Sequence, residues 1–306
     1  MSFSQRTGMF ISETHTDAME WCFTVEKMLV EGKTKFQEYQ ICEIPRFGKT
    51  LFLDYCIQTS ALDEHIFHEC MSCPAMTTHP NPKSVFVAGG GEGATLREAL
   101  AHNTVEKAVM VDIDDELVAM VREHMPEWPR GSFDDPRTTL LHMDARKYLE
   151  ETDEKFDVIL SDLPDPLEGG PAVYLFTKEY FELCMDRLSD DGVFAMQAGC
   201  ANMNYPDCFA ACLSTVKEVF PIVRPYWAII TTFLVPWAFI LCSKKHDPLD
   251  LTEEEIASRF SSRGVKNRYY TPRFHQSVFT IPDYLYQAVE EKGQIMTDAR
   301  PFIWTA

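Results

Sequence analysis

The sequence has little positive charge and no long apolar run. Lysine and arginine number 28 against 47 aspartate and glutamate residues, which gives a formal net charge of −19. Such a surface repels nucleic acid and anionic membranes, so neither is an expected partner, and it attracts cations; an acidic surface that serves solubility alone explains the charge equally well. The most apolar stretch, residues 226–242, is short for a transmembrane helix and contains Pro236. Its β-branched and aromatic residues predict two buried strands joined by a turn.

The sequence also shows no export signal and only one cysteine pair at a spacing that could bind a metal ion. The first residues, MSFSQRTGMF, contain no apolar segment of the kind that a signal peptide needs. Cys70 and Cys73 form the only CxxC pair, and no second pair follows at the spacing of a zinc site. The ten cysteines of this 306-residue chain therefore favour buried, reduced thiols over a redox or zinc site, and predict a cytoplasmic address and no metal ion.

Two regions of different pattern follow each other along the chain. From Trp21 to about Ser60, short alternating runs separated by turn signals predict a small antiparallel sheet. From Lys83 onward, apolar strands alternate with helices, which predicts an α/β fold with a Rossmann-like, class I methyltransferase-like, mostly parallel sheet. The predicted domains are residues 1–80, strands with a connecting helix, and residues 81–306, the Rossmann-like domain.

A glycine-rich turn joins the first strand and the first helix of the α/β region. The run GGGEG at residues 89–93 allows a sharp turn and a close approach of the backbone to a ligand. Asp112 ends the next strand about twenty residues later, where a carboxylate can hold both hydroxyls of a ribose. This combination predicts a nucleoside site. Glu92 inside the turn would repel a pyrophosphate, so a cationic sulfonium nucleoside fits better than a dinucleotide.

Acidic residues also follow the third and fourth strands of this region. Asp144 and Ala145 come after the third strand, where side chain and backbone could meet an adenine. Asp162 and Asp165 come after the fourth, on a loop stiffened by prolines. Ligands bind at this edge of an open α/β sheet, so the acidic groups are expected to converge on one cleft. A simple turn and a helix cap are the structural alternative, whereas a convergent cluster predicts a polyamine ligand.

Several motifs, in order, resemble the spermidine synthase family of aminopropyltransferases. They are KFQEYQI, LFLDYCIQTSALDEHIFHE, GGGEGATLREAL, VDIDDELV, a strand ending in MDA, LSDLPDPLEGGPAVYLFTKEYF and FILCSK, so the resemblance covers roughly residues 20–280. DLPDPLEGGP, HPNPKSVF and VEKAVMVDID are most similar to the thermospermine synthase branch. The resemblance implies transfer of an aminopropyl group from decarboxylated S-adenosylmethionine, a co-substrate, to a polyamine, spermidine in that branch. It also implies no permanently bound cofactor and a homodimer or homotetramer.

The resemblance further implies roles for individual residues. Asp162 matches the general base, Asp165 the carboxylate that holds the acceptor, and Glu92, commonly aspartate in the family, the residue that meets the aminopropyl ammonium. The other matches are the polyamine-contacting positions Gln58 and His68 and the donor-contacting positions Gln37, Gly89, Gly91, Asp112, Asp144, Ala145 and Pro171.

Some positions depart from the family pattern, and other functions fit part of it. Phe67 stands where a tyrosine is common, so a hydroxyl contact should be missing, and Phe233 and Trp237 could face an ammonium or belong to the core. A spermidine synthase acting on putrescine and a spermine synthase are the nearest alternatives. An amine methyltransferase would be expected to carry an Asn/Asp-Pro-Pro-aromatic run in place of DLPDP. A silent polyamine-binding protein would not need both Asp162 and Asp165.

Overall fold

The computed structural model describes residues 8–16 and 18–304, and these residues form two compact units. The first unit contains residues 18–64 with the preceding strand and the short segment Thr231–Leu234. The second contains the rest of the described chain. The prediction that no export signal precedes the fold rests largely on residues 1–7, which lie outside the described residues.

The first unit is built from antiparallel strands. They are β1 (Met9–Thr16), β2 (Met19–Val25), β3 (Lys27–Lys33), β4 (Glu38–Ile44), β5 (Gly48–Leu53) and β6 (Cys56–Ser60). β1 and β2 pair with each other, and β3 to β6 form a four-stranded sheet in sequence order. The predicted N-terminal antiparallel structure is therefore confirmed, as two sheets rather than one.

The second unit alternates strands and helices. Its described strands are β7 (Ser84–Gly89), β8 (Lys107–Asp112), β9 (Thr138–His142), β10 (Phe156–Asp162), β11 (Leu188–Cys200), β12 (Ile222–Ile230) and β13 (Val235–Ser243). Its described helices are α1 (Glu64–Thr78), α2 (Ala94–Leu100), α3 (Asp115–His124), α4 (Ala145–Glu151), α5 (Lys178–Arg187), α6 (Asp207–Lys217), α7 (Glu253–Arg263), α8 (His275–Val278) and α9 (Asp283–Lys292). From residue 65 onward α1 packs in this unit, while the domain boundary after residue 80 stays a prediction from sequence pattern.

One sheet forms the centre of the second unit. Its strand order is β12-β13-β11-β10-β7-β8-β9, with parallel pairing from β11 to β9 and antiparallel pairing of β13 with β11 and β12. This confirms the Rossmann-like, mostly parallel sheet. β12 and β13 are the two strands predicted for residues 226–242. Within the described residues no helix is both long and apolar enough to cross a bilayer.

The strand order changes direction at β7. β7 and β10 are neighbours in the sheet, and the chain runs from β7 to β8 on one side and from β10 to β11 on the other, so the connections leave the carboxyl ends of these two strands in opposite directions. Such a switch point leaves a crevice outside the strand ends, where open α/β sheets bind ligands. β7 and β8 are buried along nearly their whole length because the sheet is covered on both faces. Polar side chains therefore gather at the strand ends.

Helix α7 begins with a capping box, a local sequence signal for the start of a helix. Thr252 and Glu255 have capping-box spacing, and the Thr252 hydroxyl accepts from Glu255 N–H at 3.2 Å while the Glu255 carboxylate accepts from Thr252 N–H at 2.8 Å. We expect Thr252→Ala to lower the free energy of unfolding by about 1 kcal/mol, measured by urea denaturation. Ser258→Ala removes an exposed hydroxyl from the middle of the same helix and should change stability little. Equal losses in the two variants would contradict this role of the cap.

Candidate active site

The glycine-rich turn after β7 lies directly against the end of β10. Gly89, Gly90 and Gly93 have φ angles of 76°, 72° and 72°, a region that favours glycine. Gly89 is paired with Asp162 across the parallel ladder, and Gly90 N–H donates to Asp162 O at 2.8 Å. A Cβ at Gly89 would lie 2.3 Å from that carbonyl oxygen. The contact with β10 therefore requires a glycine at position 89 even when no ligand is bound.

Asp112 ends β8 on the other side of the same turn. Its Oδ1 accepts from Asp114 N–H at 2.8 Å, and a Cβ at Gly91 would come within 3.1 Å of its Oδ2. Burial raises the pKa of Asp112 to about 6, although the N–H groups of Asp114 and Gly91 oppose that change. The carboxylate is thus fixed beside the turn.

Asp162 ends β10 and is oriented by a hydroxyl group from α2. Thr95 Oγ1 donates to Asp162 Oδ2 at 2.6 Å. Burial raises the pKa of Asp162, and His68 and the Thr95 hydroxyl oppose the increase. Its carboxylate therefore accepts a hydrogen bond from another element, rather than capping a helix of its own.

Glu92 shares this environment. Burial raises the pKa of Glu92 to about 7, repulsion from Asp162 adds to the increase, and His68 opposes it. The charge of Asp162 thus opposes ionisation of Glu92. Acidic groups held this close favour either a shared proton or a bound cation.

Asp165 lies on the loop after β10 and is held by a glutamine that the sequence reading missed. Gln197 Nε2 donates to Asp165 Oδ1 at 3.1 Å and to Leu163 O at 2.8 Å. Gln197 Oε1 accepts from Gly199 N–H at 2.7 Å and from Trp237 Nε1–H at 3.2 Å. Burial raises the pKa of Asp165 to about 6, and Gln197 opposes the increase. Trp237 therefore belongs to a polar network.

Two signals in the sequence could have revealed the missed residues. Gln197 is a lone amide in an otherwise apolar run, FAMQAGC, and it is 3% exposed. A buried amide normally has hydrogen-bond partners, so its position near the end of a predicted strand was informative. Thr95 follows the glycine-rich turn by two residues and is fully buried. Its hydroxyl likewise required a partner.

His68 is the predicted site residue contributed by α1. It is 1% exposed, and its imidazole opposes the pKa increases of both Glu92 and Asp162. The Phe67 ring centroid is 5.2 Å from that of His68 and 5.4 Å from that of Phe239. Phe67 thus contributes a ring beside His68.

Other predicted residues make local contacts. Asp144 is exposed and caps α4, where it accepts from the N–H groups of Arg146 and Lys147 at 2.8 and 3.1 Å. Ala145 is buried in the first turn of that helix, and Pro171 is exposed on the loop before α5. Their contacts with adenine stay predictions.

Three predicted residues belong to the first unit. Gln37 lies in the turn before β4, where its N–H donates to Thr34 Oγ1 at 3.2 Å. Gln58 lies on β6 and donates to Cys56 O at 3.1 Å. Phe233 is buried in the segment Thr231–Leu234. Their contacts with a ligand stay predictions. No group of three or more histidine, cysteine or acidic residues in the described chain is arranged to hold a metal ion.

Two family models match the chain. The Spermine/spermidine synthase domain matches residues 64–253, and the Spermidine synthase tetramerisation domain matches residues 9–61. The chain belongs to the spermine/spermidine synthase family.

Relatives and solved structures agree with this membership. Polyamine aminopropyltransferase 1 of Hyperthermus butylicus is 45% identical over 262 residues, 85% of this chain and 89% of the relative. Polyamine aminopropyltransferase 2 of the same organism is 36% identical over 293 residues, 95% and 96% of the two chains. A crystal structure of spermidine synthase in complex with the transition state analogue AdoDATO has a TM-score of 0.87 and 29% identity, covering 95% of this chain and 98% of the other. This family member is therefore a polyamine aminopropyltransferase, a transferase of polyamine biosynthesis.

The contact between the glycine-rich turn and β10 predicts a severe effect of Gly89→Ala. A left-handed backbone costs a residue with a Cβ about 1–2 kcal/mol, and here the new Cβ would also collide with Asp162 O. Gly131→Ala is the matched control, because Gly131 has a φ of 84° with nothing within 4 Å of an added Cβ. Urea denaturation should show a loss at Gly89 that exceeds the loss at Gly131 by more than about 2 kcal/mol. Equal losses would mean that the turn does not depend on this contact.

The raised pKa of Glu92 predicts a pH-dependent gain in stability for Glu92→Gln. The folded protein holds this proton more tightly than the unfolded chain, so the stabilisation is fully present below the ordinary pKa of 4.5 and is lost as pH rises through about 7. We expect the variant to unfold at higher urea concentration than the wild type at pH 8, with little difference near pH 4.5. Exposed Glu290→Gln should show no such trend. A constant difference across this range would contradict the assignment.

Proposed function

We propose that this family member transfers the aminopropyl group of decarboxylated S-adenosylmethionine to spermidine, forming thermospermine and 5′-methylthioadenosine. The observation that carries the proposal is the group of carboxyl residues Glu92, Asp112 and Asp162 at the switch point beside β7. Both substrates are cations, and acidic groups with raised pKa values are stabilised as anions when a cation binds. The motif DLPDPLEGGP, similar to the thermospermine synthase branch, supports the choice of acceptor.

The donor is assigned to the turn after β7 and the ends of the neighbouring strands. In this proposal Asp112 holds the ribose hydroxyls, Gly89 and Gly91 allow the nucleoside to approach, and Glu92 meets the aminopropyl ammonium. The remaining donor contacts are assigned to Gln37, Asp144, Ala145, Asp162 and Pro171. The complex of spermidine synthase with AdoDATO, a protein of the same fold, supports a donor of this type. No permanently bound cofactor is needed, because the sulfonium already activates the carbon that is attacked.

Glu92 also explains selection of the decarboxylated donor. Ordinary S-adenosylmethionine carries a carboxylate beside its amine, and Glu92 would repel that group. The decarboxylated form presents only an ammonium. The more stable Glu92→Gln variant is therefore expected to use the donor less well, a trade of activity against stability.

Asp162 is assigned as the general base. It takes a proton from the primary ammonium of the acceptor, and the neutral nitrogen then attacks the carbon next to sulfur. A carbon–nitrogen bond forms, the carbon–sulfur bond breaks, and its electron pair leaves with methylthioadenosine as a neutral thioether. The positive charge passes to the new secondary ammonium. A raised pKa suits a base that works near neutral pH, and such help is worth about a hundred- to ten-thousandfold in rate.

The acceptor is assigned to the loop after β10 and to α1. Asp165 would hold a second ammonium of the polyamine, and its orientation by Gln197 supports this role. His68 and Gln58 are assigned to the same substrate. Positioning of the attacking nitrogen makes the reaction effectively unimolecular and contributes strongly to the rate.

The protein is assigned to the cytoplasm as a homo-oligomer. The match to a tetramerisation domain supports a homodimer or homotetramer. All ten cysteines lie among the described residues and none is in a disulfide, which suits a reducing cytoplasm. The acidic net charge of −19 supports polyamines, rather than nucleic acid or membrane, as partners.

The deciding experiment resolves the products. Purified protein is incubated with decarboxylated S-adenosylmethionine and, separately, spermidine or putrescine, and the products are separated by a method that distinguishes thermospermine from spermine. Thermospermine from spermidine is the expected result. Spermine from spermidine, or spermidine from putrescine, would retain aminopropyl transfer and overturn the choice of product. No methylthioadenosine with either acceptor would favour a methyltransferase or a silent polyamine-binding protein.

Asp162→Asn tests the base. We expect turnover to fall at least about a hundredfold, while donor binding measured by calorimetry stays largely intact. Asp157→Asn is the matched control, because Asp157 lies at the opposite end of β10 and accepts from the N–H groups of Lys83 and Ser84. It should retain turnover within a few-fold. A loss of only a few-fold in Asp162→Asn would exclude Asp162 as the base.

A further inference from the structure

The loop that carries Asp165 is in contact with the end of the described chain. We call residues 163–177, between β10 and α5, the Asp165 loop, and residues 296–304 the C-terminal segment. The loop is exposed at several positions, including Pro164 and Tyr174. Gln197 fixes its beginning through Leu163 O and Asp165. The rest of the loop is held by other groups.

The middle of the loop is bonded to the last described residue. Trp304 N–H donates to Pro166 O at 2.8 Å, and Trp304 forms an isolated parallel bridge with Leu167. The Trp304 ring lies 6.3 Å from that of Tyr205, centroid to centroid. Leu167 N–H in turn donates to Asp165 O at 2.8 Å. The C-terminal segment thus contacts the loop directly beside Asp165.

The far end of the loop is fastened through Asp298. Arg146 donates to Asp298 Oδ1 and Oδ2 at 2.8 and 2.7 Å, a bidentate pair, and also to Tyr174 O at 3.3 Å. The buried Thr177 hydroxyl, also placed 3.2 Å from Tyr174 O, donates to Asp298 Oδ1 at 2.7 Å. Asp298 N–H donates to Glu179 at 3.0 Å. Arg146 belongs to α4, whose first residues are assigned to the adenine.

The Asp298 contact is more than an exposed ion pair. The side chains of Arg146 and Asp298 are 21% and 38% exposed, and two parallel hydrogen bonds join them. Hydrogen bonds from Arg146, helped by Thr177, hold the pKa of Asp298 below its usual range. The family model ends at residue 253, so this part of the chain lies beyond the matched domain.

We propose that the C-terminal segment is a brace that sets the position of the Asp165 loop, with Asp298 and Trp304 as positioning residues for the acceptor polyamine. This rests on the role proposed above for Asp165. Asp298 and Trp304 act through the loop backbone and need no contact with substrate. A carboxylate on a loop displaced by about 1 Å would hold the acceptor amine out of line with the donor carbon, at a loss of up to about a hundredfold.

Two variants separate this role from ordinary stabilisation. Asp298→Asn weakens the bidentate pair, and a chain that ends at Ile303 removes the Trp304 N–H. Asp247→Asn is the matched control, because Asp247 is also held through two hydrogen bonds by an arginine, Arg224, which lies on the edge strand β12 and not beside β10. The measurements are KM and kcat for each substrate, and hydrogen exchange of the loop amides in the substrate-free protein.

The expected result is selective. Both variants should raise the acceptor KM or lower kcat/KM for the acceptor about ten- to a hundredfold, with a smaller change in donor KM. Their loop amides, including those of Leu167 and Gly170, should exchange faster, while those of β7 and β10 do not. The control should change neither.

Unchanged loop exchange in both variants would overturn the brace. If the loop amides exchange faster but the KM values for donor and acceptor change equally, the segment holds the loop and the positioning role is overturned. If the wild type transfers no aminopropyl group, the proposed function fails, whereas the exchange measurement still decides whether the segment holds the loop.

Discussion

The parallel pairing of β7 with β10 is the constraint on which the site depends. It places Gly89 opposite Asp162 and allows Gly90 N–H to donate to the Asp162 carbonyl. From this one contact follow the direction of the glycine-rich turn, the approach of Thr95 to the Asp162 carboxylate and the closeness of Glu92. A shift of one residue in this register would turn alternate side chains to the opposite face of the sheet.

The buried carboxyl groups of the site lower the stability of the folded protein. Burial raises the pKa of Asp112 and Asp165 to about 6 and of Glu92 to about 7, so ionised carboxylates oppose folding near neutral pH. The same property makes the site receptive, because a sulfonium donor and an ammonium acceptor supply the missing positive charge. Burial of the apolar strands of the second unit offsets this loss of stability.

Polar networks extend the functional region beyond the acidic groups. Gln197 holds Asp165 from β11 and is itself oriented by Trp237 from β13. The Asp165 loop is then held by Trp304 and, through Asp298, by Arg146. These hydrogen bonds join β11, β13, α4 and the C-terminal segment to the loop that carries Asp165.

Local patterns in the sequence determined the elements. Alternating apolar segments predicted the strands and helices of the α/β region. The run GGGEG predicted the turn, β-branched and aromatic residues predicted the two strands at residues 226–242, and residue spacing predicted the Thr252 cap. The family resemblance, confirmed by comparison, supplied the chemistry. The tertiary structure alone decided which distant residues meet: Thr95 with Asp162, Gln197 with Asp165 and Asp298 with Arg146. These contacts depend on strand order and loop path, which bring together residues far apart in the chain, and local periodicity does not encode them.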